Sequence, residues 1–139
     1  MSVDSTGMAA RLGIKPGMVV QELGWDEDAD EDLRDSIVDL SGGEMIDEES
    51  DEVADVVLLW WREDDGDLFD ALTDALTSLA DDGVVWLLVP KSGRPGHVEP
   101  GDVTEVAPTA GLSQTSSISA AKDWSGIRLV TPKTARSRR

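Results

Sequence analysis

The chain has 139 residues, 40% of them hydrophobic, and sets 29 Asp+Glu against 12 Lys+Arg for a net charge of −17. That length suits one domain with one good core. The lack of cysteine removes disulfides, thiolate nucleophiles and Cys-based zinc sites, and no stretch reaches the roughly 18 apolar residues of a membrane span.

The N-terminus lacks the basic-then-apolar layout of a signal peptide, so a cytoplasmic protein is expected. Charge is unevenly spread. Residues 1–83 hold 25 acidic and 4 basic side chains (−21), and residues 84–139 hold 4 and 8 (+4), which together recover −17. Such asymmetry marks either a partner-facing surface or a solvated acidic coat. In both cases the acidic half repels nucleic acid and anionic membrane, and neither is expected as a partner.

Residues 1–11 read as a flexible leader, and Lys15-Pro16-Gly17 punctuates a turn. Residues 18–23 form a first strand ended by Gly24. The carboxylates of residues 26–32 lead into a helix whose buried stripe is Leu33, Ile37 and Leu40, closed by Ser41-Gly42-Gly43. Acidic residues at its N-terminus suit the helix dipole. Residues 44–47 form a short strand.

Val53 to Trp61 is a nearly unbroken apolar run. Leu68, Leu72, Leu76 and Leu79 recur at helical spacing, with Gly83 as the stop, and residues 84–89 form a second apolar run. Strands apolar on both faces belong to parallel sheets covered by helices, and this strand-helix-strand is a right-handed crossover. Trp60 and Trp61, as neighbours on a strand, send one indole to each face. After a Gly- and Pro-rich loop over residues 91–97, residues 102–109 form a short helix limited by Pro108. Residues 113–121 and 127–131 have hairpin character around Asp123-Trp124-Ser125-Gly126, and residues 132–139 form a basic disordered tail. The expected fold is an α/β Rossmann-like three-layer domain over residues 12–131, with a mostly parallel sheet of about five to six strands and a C-terminal antiparallel hairpin.

This order of elements, with Leu12-Gly13-Ile14-Lys15-Pro16-Gly17, Asp55-Val56-Val57-Leu58-Leu59-Trp60-Trp61, Pro90-Lys91-Ser92-Gly93 and Asp123-Trp124-Ser125-Gly126-Ile127-Arg128-Leu129-Val130, resembles a small uncharacterised actinobacterial family. Its members look like shortened class I methyltransferase domains without an assigned activity. The resemblance implies an abridged methyltransferase sheet ending in a reversed edge strand, and carries over no catalytic residues.

Sheets of this type bind ligands beyond the carboxyl ends of their strands. Glu22-Leu23-Gly24 resembles the opening of an adenosylmethionine-binding turn, and Asp47 stands where a ribose-binding acid is wanted. However, Trp25, Asp26, Glu27 and Asp28 follow where small residues should, and an indole would fill the cofactor's space. Asp26, Asp28 and Asp30 alternate like a calcium loop, yet Glu31 replaces its glycine and Ile37 its bidentate acid. His97, the sole histidine, has no nucleophile elbow to serve.

Lys91, Arg94 and His97 are therefore the leading site, either holding an anion or pairing with acidic loops, in a crevice shared with residues 26–32. Trp61 and Trp124 are interface anchors if exposed. No cofactor, metal or catalytic residue is expected. The reading is a non-catalytic interaction or regulatory protein with an unknown protein partner and room for a homodimer. Its alternatives are a divergent methyltransferase using Glu22, Gly24 and Asp47, and an anion or nucleotide sensor.

Overall fold

The computed structural model describes residues 9–50 and 52–131. The basic tail and residues 1–8 of the expected leader lie outside them. Five strands form one sheet in the order β1-β2-β3-β5-β4: β1 (Val20–Leu23), β2 (Ala54–Trp60), β3 (Leu79–Pro90), β4 (Ser113–Ser119) and β5 (Trp124–Val130). β1, β2 and β3 are parallel, β5 runs antiparallel to β3, and β4 antiparallel to β5. The reversed strand of the hairpin is thus interior. The edge strand β4 runs the same way as β3, because the hairpin folds back between β3 and its own first strand.

Three helices are present among the described residues: α1 (Glu31–Ser41), α2 (Leu68–Thr77) and α3 (Pro100–Thr109). Asp30 caps α1 by accepting from the Leu33 amide, and Gly42 in the left-handed region ends it. Asp67 caps α2 through the Phe69 amide. α2 ends at Thr77, before Gly83 is reached. Leu79 already pairs with Ala54 on β2, so the sheet claims residues that helical spacing had assigned to the helix. Residues 44–47 give only an isolated parallel bridge between Ile46 and Gln21, since acidic loop residues follow at once and leave no apolar run to extend it.

Past an irregularity between Ala54 and Val56, neighbouring residues of β2 alternate between two cores. On one face, Val57 and Leu59 of β2, Trp61 just past it, and Val85, Leu87 and Val89 of β3 pack under α2 and α3. On the other, Val56, Leu58 and Trp60 with Trp86 and Leu88 meet Leu33 and Ile37 of α1 and the N-terminal residues Ala9, Leu12 and Ile14. Each fully buried Leu or Ile contributes about 1.5–3 kcal/mol. Residues 9–11 form a helical turn, and the Ala9 amide donates to Ser36 Oγ at 2.9 Å, so the end of the expected leader is packed. Trp86 Nε1 donates to Leu12 O at 2.8 Å and fixes the same segment. No described helix is long and apolar enough to cross a membrane.

Candidate functional site

The carboxyl ends of β1 and β2 meet in a polar network centred on Glu22 and Arg62. Glu22, near the end of β1, faces Arg34 on the second turn of α1. Arg34 Nε donates to Oε2 at 2.6 Å and its other arm to Oε1 at 2.8 Å, a bidentate clamp. Trp60 Nε1, from the last residue of β2, donates to Oε2 at 2.9 Å. The Glu22 side chain is only 9% exposed, so both of its oxygens are engaged within the fold. The hydrogen bond to Glu22 is the main reason the Arg34 guanidinium is held well above its ordinary pKa, with burial opposing.

Arg62, just past β2, is buried. It donates to Gly24 O at 2.8 Å, to both Asp28 oxygens at 3.0 and 2.5 Å, and to Asp65 Oδ2 at 3.0 Å. Its guanidinium lies 5.2 Å from the Trp124 ring centre. Burial works against its charge, but the hydrogen bonds it donates to Asp28 and Asp65 prevail and its pKa is raised. Asp28 is lowered in turn, chiefly by the Arg62 hydrogen bond, against a desolvation penalty. Gly24 has φ +75°, and a β-carbon there would lie 2.3 Å from Trp60 O. Only glycine permits β1 to leave the sheet this close to β2.

Beside this network a cleft of about 680 Å³ opens between the loop after Ile46 and α2. Leu23, Leu59 and Trp61 line its apolar side, while Asp26, Glu48 and Asp74 lie along its rim. Trp25 is half-exposed at its mouth, with the Arg34 guanidinium 5.6 Å from its ring centre.

The residues singled out from sequence divide sharply. Glu22 and Gly24 are at this site, and Asp47 is nearby but exposed, its carboxylate accepting from the Glu49 amide. The loop of residues 91–97 does reach the carboxyl edge, where Gly96 O accepts from the Glu63 amide. None of its cations forms an ion pair with residues 26–32 among the described residues. Lys91 donates to Ser119 Oγ, Arg94 pairs with Asp123 at 3.3 Å, and His97 places Nδ1 2.9 Å from Pro90 O.

Trp61 and Trp124 are buried within the chain and are not exposed anchors. Trp124 packs edge-on against Trp60, centroids 4.8 Å apart, and donates to Asp28 O. Trp25 flanks the cleft without filling it. The carboxylates of the calcium-like run diverge: Asp26 accepts from the Glu27 amide, Asp28 from Arg62, and Asp30 caps α1.

Arg34 and Arg62 were missed from sequence, though a signal existed. They are two of only four basic residues in the first 83, and Arg62 directly follows the strongest apolar run.

Residues 9–133 match the family described as "Protein of unknown function (DUF3052)", and the chain belongs to that family. A relative named "Uncharacterized protein Rv2239c" in Mycobacterium tuberculosis is 53% identical over 135 residues, covering 97% of this chain and 85% of the relative. The protein named "Uncharacterized protein Mb2263c" in Mycobacterium bovis matches to the same extent. Among solved structures, a SAM-dependent methyltransferase from Aquifex aeolicus superposes with a TM-score of 0.61 at 14% identity, over 91% of this chain and 88% of that one. The mitomycin 7-O-methyltransferase MmcR gives 0.63 at 13% identity, over 94% and 54%. Identities this low establish the methyltransferase-type Rossmann fold alone.

Proposed function

We propose that this chain is a non-catalytic interaction or regulatory protein on a methyltransferase-type scaffold. One observation carries the reading. At the turn where a cofactor-binding sheet must offer free polar groups and open backbone, the carboxylate of Glu22 is clamped by Arg34 and Trp60, and the carbonyl of Gly24 is taken by Arg62. A cofactor would have to displace a bidentate ion pair and a buried guanidinium. Truncating one partner of such a pair leaves an uncompensated charge, at a cost of about 3–5 kcal/mol when fully buried. Among the described residues Asp26, Glu48 and Asp74 line the cleft without an ion pair, and this exposed acidic rim disfavours nucleotides and other anions.

A divergent adenosylmethionine-dependent methyltransferase is the second reading, favoured by the cleft's volume and its position beside Gly24. Titration calorimetry with adenosylmethionine separates the two. The first reading expects binding weaker than about 1 mM and no rise in melting temperature at lower concentrations. Sub-millimolar binding that Glu22→Gln abolishes would establish the second.

A further inference from the structure

The cleft is a trough, and its length bears on what fills it. At one end it is lined by Trp61 and Arg62, past the carboxyl end of β2. At the other lie Thr77 and Ser78, and the carbonyl of Ser78 accepts from the amide of Ala54, the first residue of β2. β2 contributes Leu59 and Trp60 to its lining, and its wall along α2 runs from Ala71 to Thr77, about 9 Å at the usual helical rise. That is the reach of roughly three residues of extended polypeptide.

Apart from Arg62, which is paired with Asp28 and Asp65, the charged residues lining the trough are acidic. Glu48 on the loop side, Asp74 on α2 and Asp26 at the mouth are exposed, and none forms an ion pair among the described residues. They differ in this from Glu22, Asp28 and Asp65, which Arg34 and Arg62 neutralise. The last turn of α2 carries no basic residue, so its carbonyl ends add negative potential at the far end. The floor is apolar at Leu23, Leu59 and Trp61, suited to the methylene stems of long cationic side chains. At the mouth, Trp25 already receives a guanidinium, from Arg34.

We propose that this trough docks an extended lysine- and arginine-bearing segment of a partner protein. The inference rests on the non-catalytic reading above and supplies the partner's chemistry. The acidic body of a second copy fits poorly, since residues 1–83 carry −21, and docking of a second copy's basic residues 133–139 would show as a dimer that Glu48→Lys dissolves. A small cation leaves most of a cleft of about 680 Å³ empty.

The test uses the full chain, with hexalysine as probe, followed by calorimetry and by amide and indole NMR shifts in low salt. Shifts are expected in residues 47–50, in α2 and at the Trp25 and Trp61 indoles. The Glu48→Lys/Asp74→Lys variant should lower affinity about tenfold. Asp35→Lys/Asp39→Lys makes the same charge change on exposed positions of α1, against the opposite core, and should lower it less than about threefold. If the first variant is poorly folded, Glu48→Gln and Asp74→Asn singly replace it, with the corresponding neutral changes on α1.

Equal losses in the two variants, or shifts spread over the acidic surface, would overturn the proposal. So would spermidine binding the trough as tightly as hexalysine, which would make it a small-cation site, or a dimer that Glu48→Lys dissolves. Adenosylmethionine is titrated in parallel. If it fails to bind while hexalysine binds diffusely, only the docking inference falls; if it binds tightly, the non-catalytic reading falls with it.

Discussion

Gly24 and Gly17 share a left-handed backbone, with φ +75° and +88°, but differ in surroundings. A β-carbon at Gly17 meets nothing within 4 Å, whereas at Gly24 it meets the Trp60 carbonyl. Gly17→Ala should therefore cost about 1 kcal/mol of strain, and Gly24→Ala clearly more, because β1 must also move away from β2. Urea denaturation of the two variants checks the order, and equal costs would mean that the close approach is unimportant.

Arg62 gives a second contrast. Arg62→Met retains much of the stem that packs near Gly96 and Trp124, and the backbone amide that donates to Asp65, but strands the Gly24 carbonyl, so a loss of about 1–3 kcal/mol is expected. Asp28→Asn should cost less than about 1 kcal/mol, since the Asp28 side chain is 54% exposed and water screens the pair. Its pH dependence has a definite sign. The folded pKa of Asp28 lies below its ordinary 3.8, so the pair's contribution is complete above that value and is lost as pH falls through the folded pKa. The stability gap between the parent and Asp28→Asn should be widest near neutrality and close below pH 3.8.

At the scale of elements, β2 is where sequence and structure agree most closely. Its apolar run has one solution, a strand buried on both faces, and the adjacent indoles of Trp60 and Trp61 enter opposite cores. Both are buried, so Trp60→Ala and Trp61→Ala should each cost about 3–5 kcal/mol in chemical denaturation. Trp60→Phe, which keeps most of the volume but removes one of the two donors to Glu22 Oε2, should also destabilise the fold, by about 1–3 kcal/mol.

The boundaries were less readable. Leu79 has the spacing of a helix and the pairing of a strand, and only the register with Ala54 decides between them. The hairpin was readable as a hairpin, but whether its first or second strand stood at the edge depends on what β3 accepts as a neighbour. That is a tertiary choice with no local signature. β4, an exposed Ser- and Thr-rich strand, was readable as one arm of that hairpin although it has no apolar periodicity of its own.

Over the whole molecule, the sheet's carboxyl edge could be located from topology alone, but the side chains that occupy it could not. Arg34 reaches Glu22 across 12 residues and Arg62 reaches Asp28 across 34. In so acidic a segment any of many carboxylates was an eligible partner, and the cations of residues 91–97 bond to Ser119, Asp123 and Glu99 instead. The charge imbalance itself leads to a global prediction. Two of the four basic residues among the first 83 are consumed in these pairs, leaving most of that half's 25 carboxylates to repel one another. Salt shortens the Debye length from about 30 Å at 0.01 M to 3 Å at 1 M, and screens exposed charges far more than buried ones. The Glu22–Arg34 clamp is mostly sheltered and should survive, while the surface repulsion is quenched. The melting temperature should accordingly rise as sodium chloride increases over that range, in both the parent and Asp28→Asn. A fall with salt in differential scanning calorimetry would mean that attractive surface pairs, rather than the excess of carboxylates, govern the electrostatics of this fold.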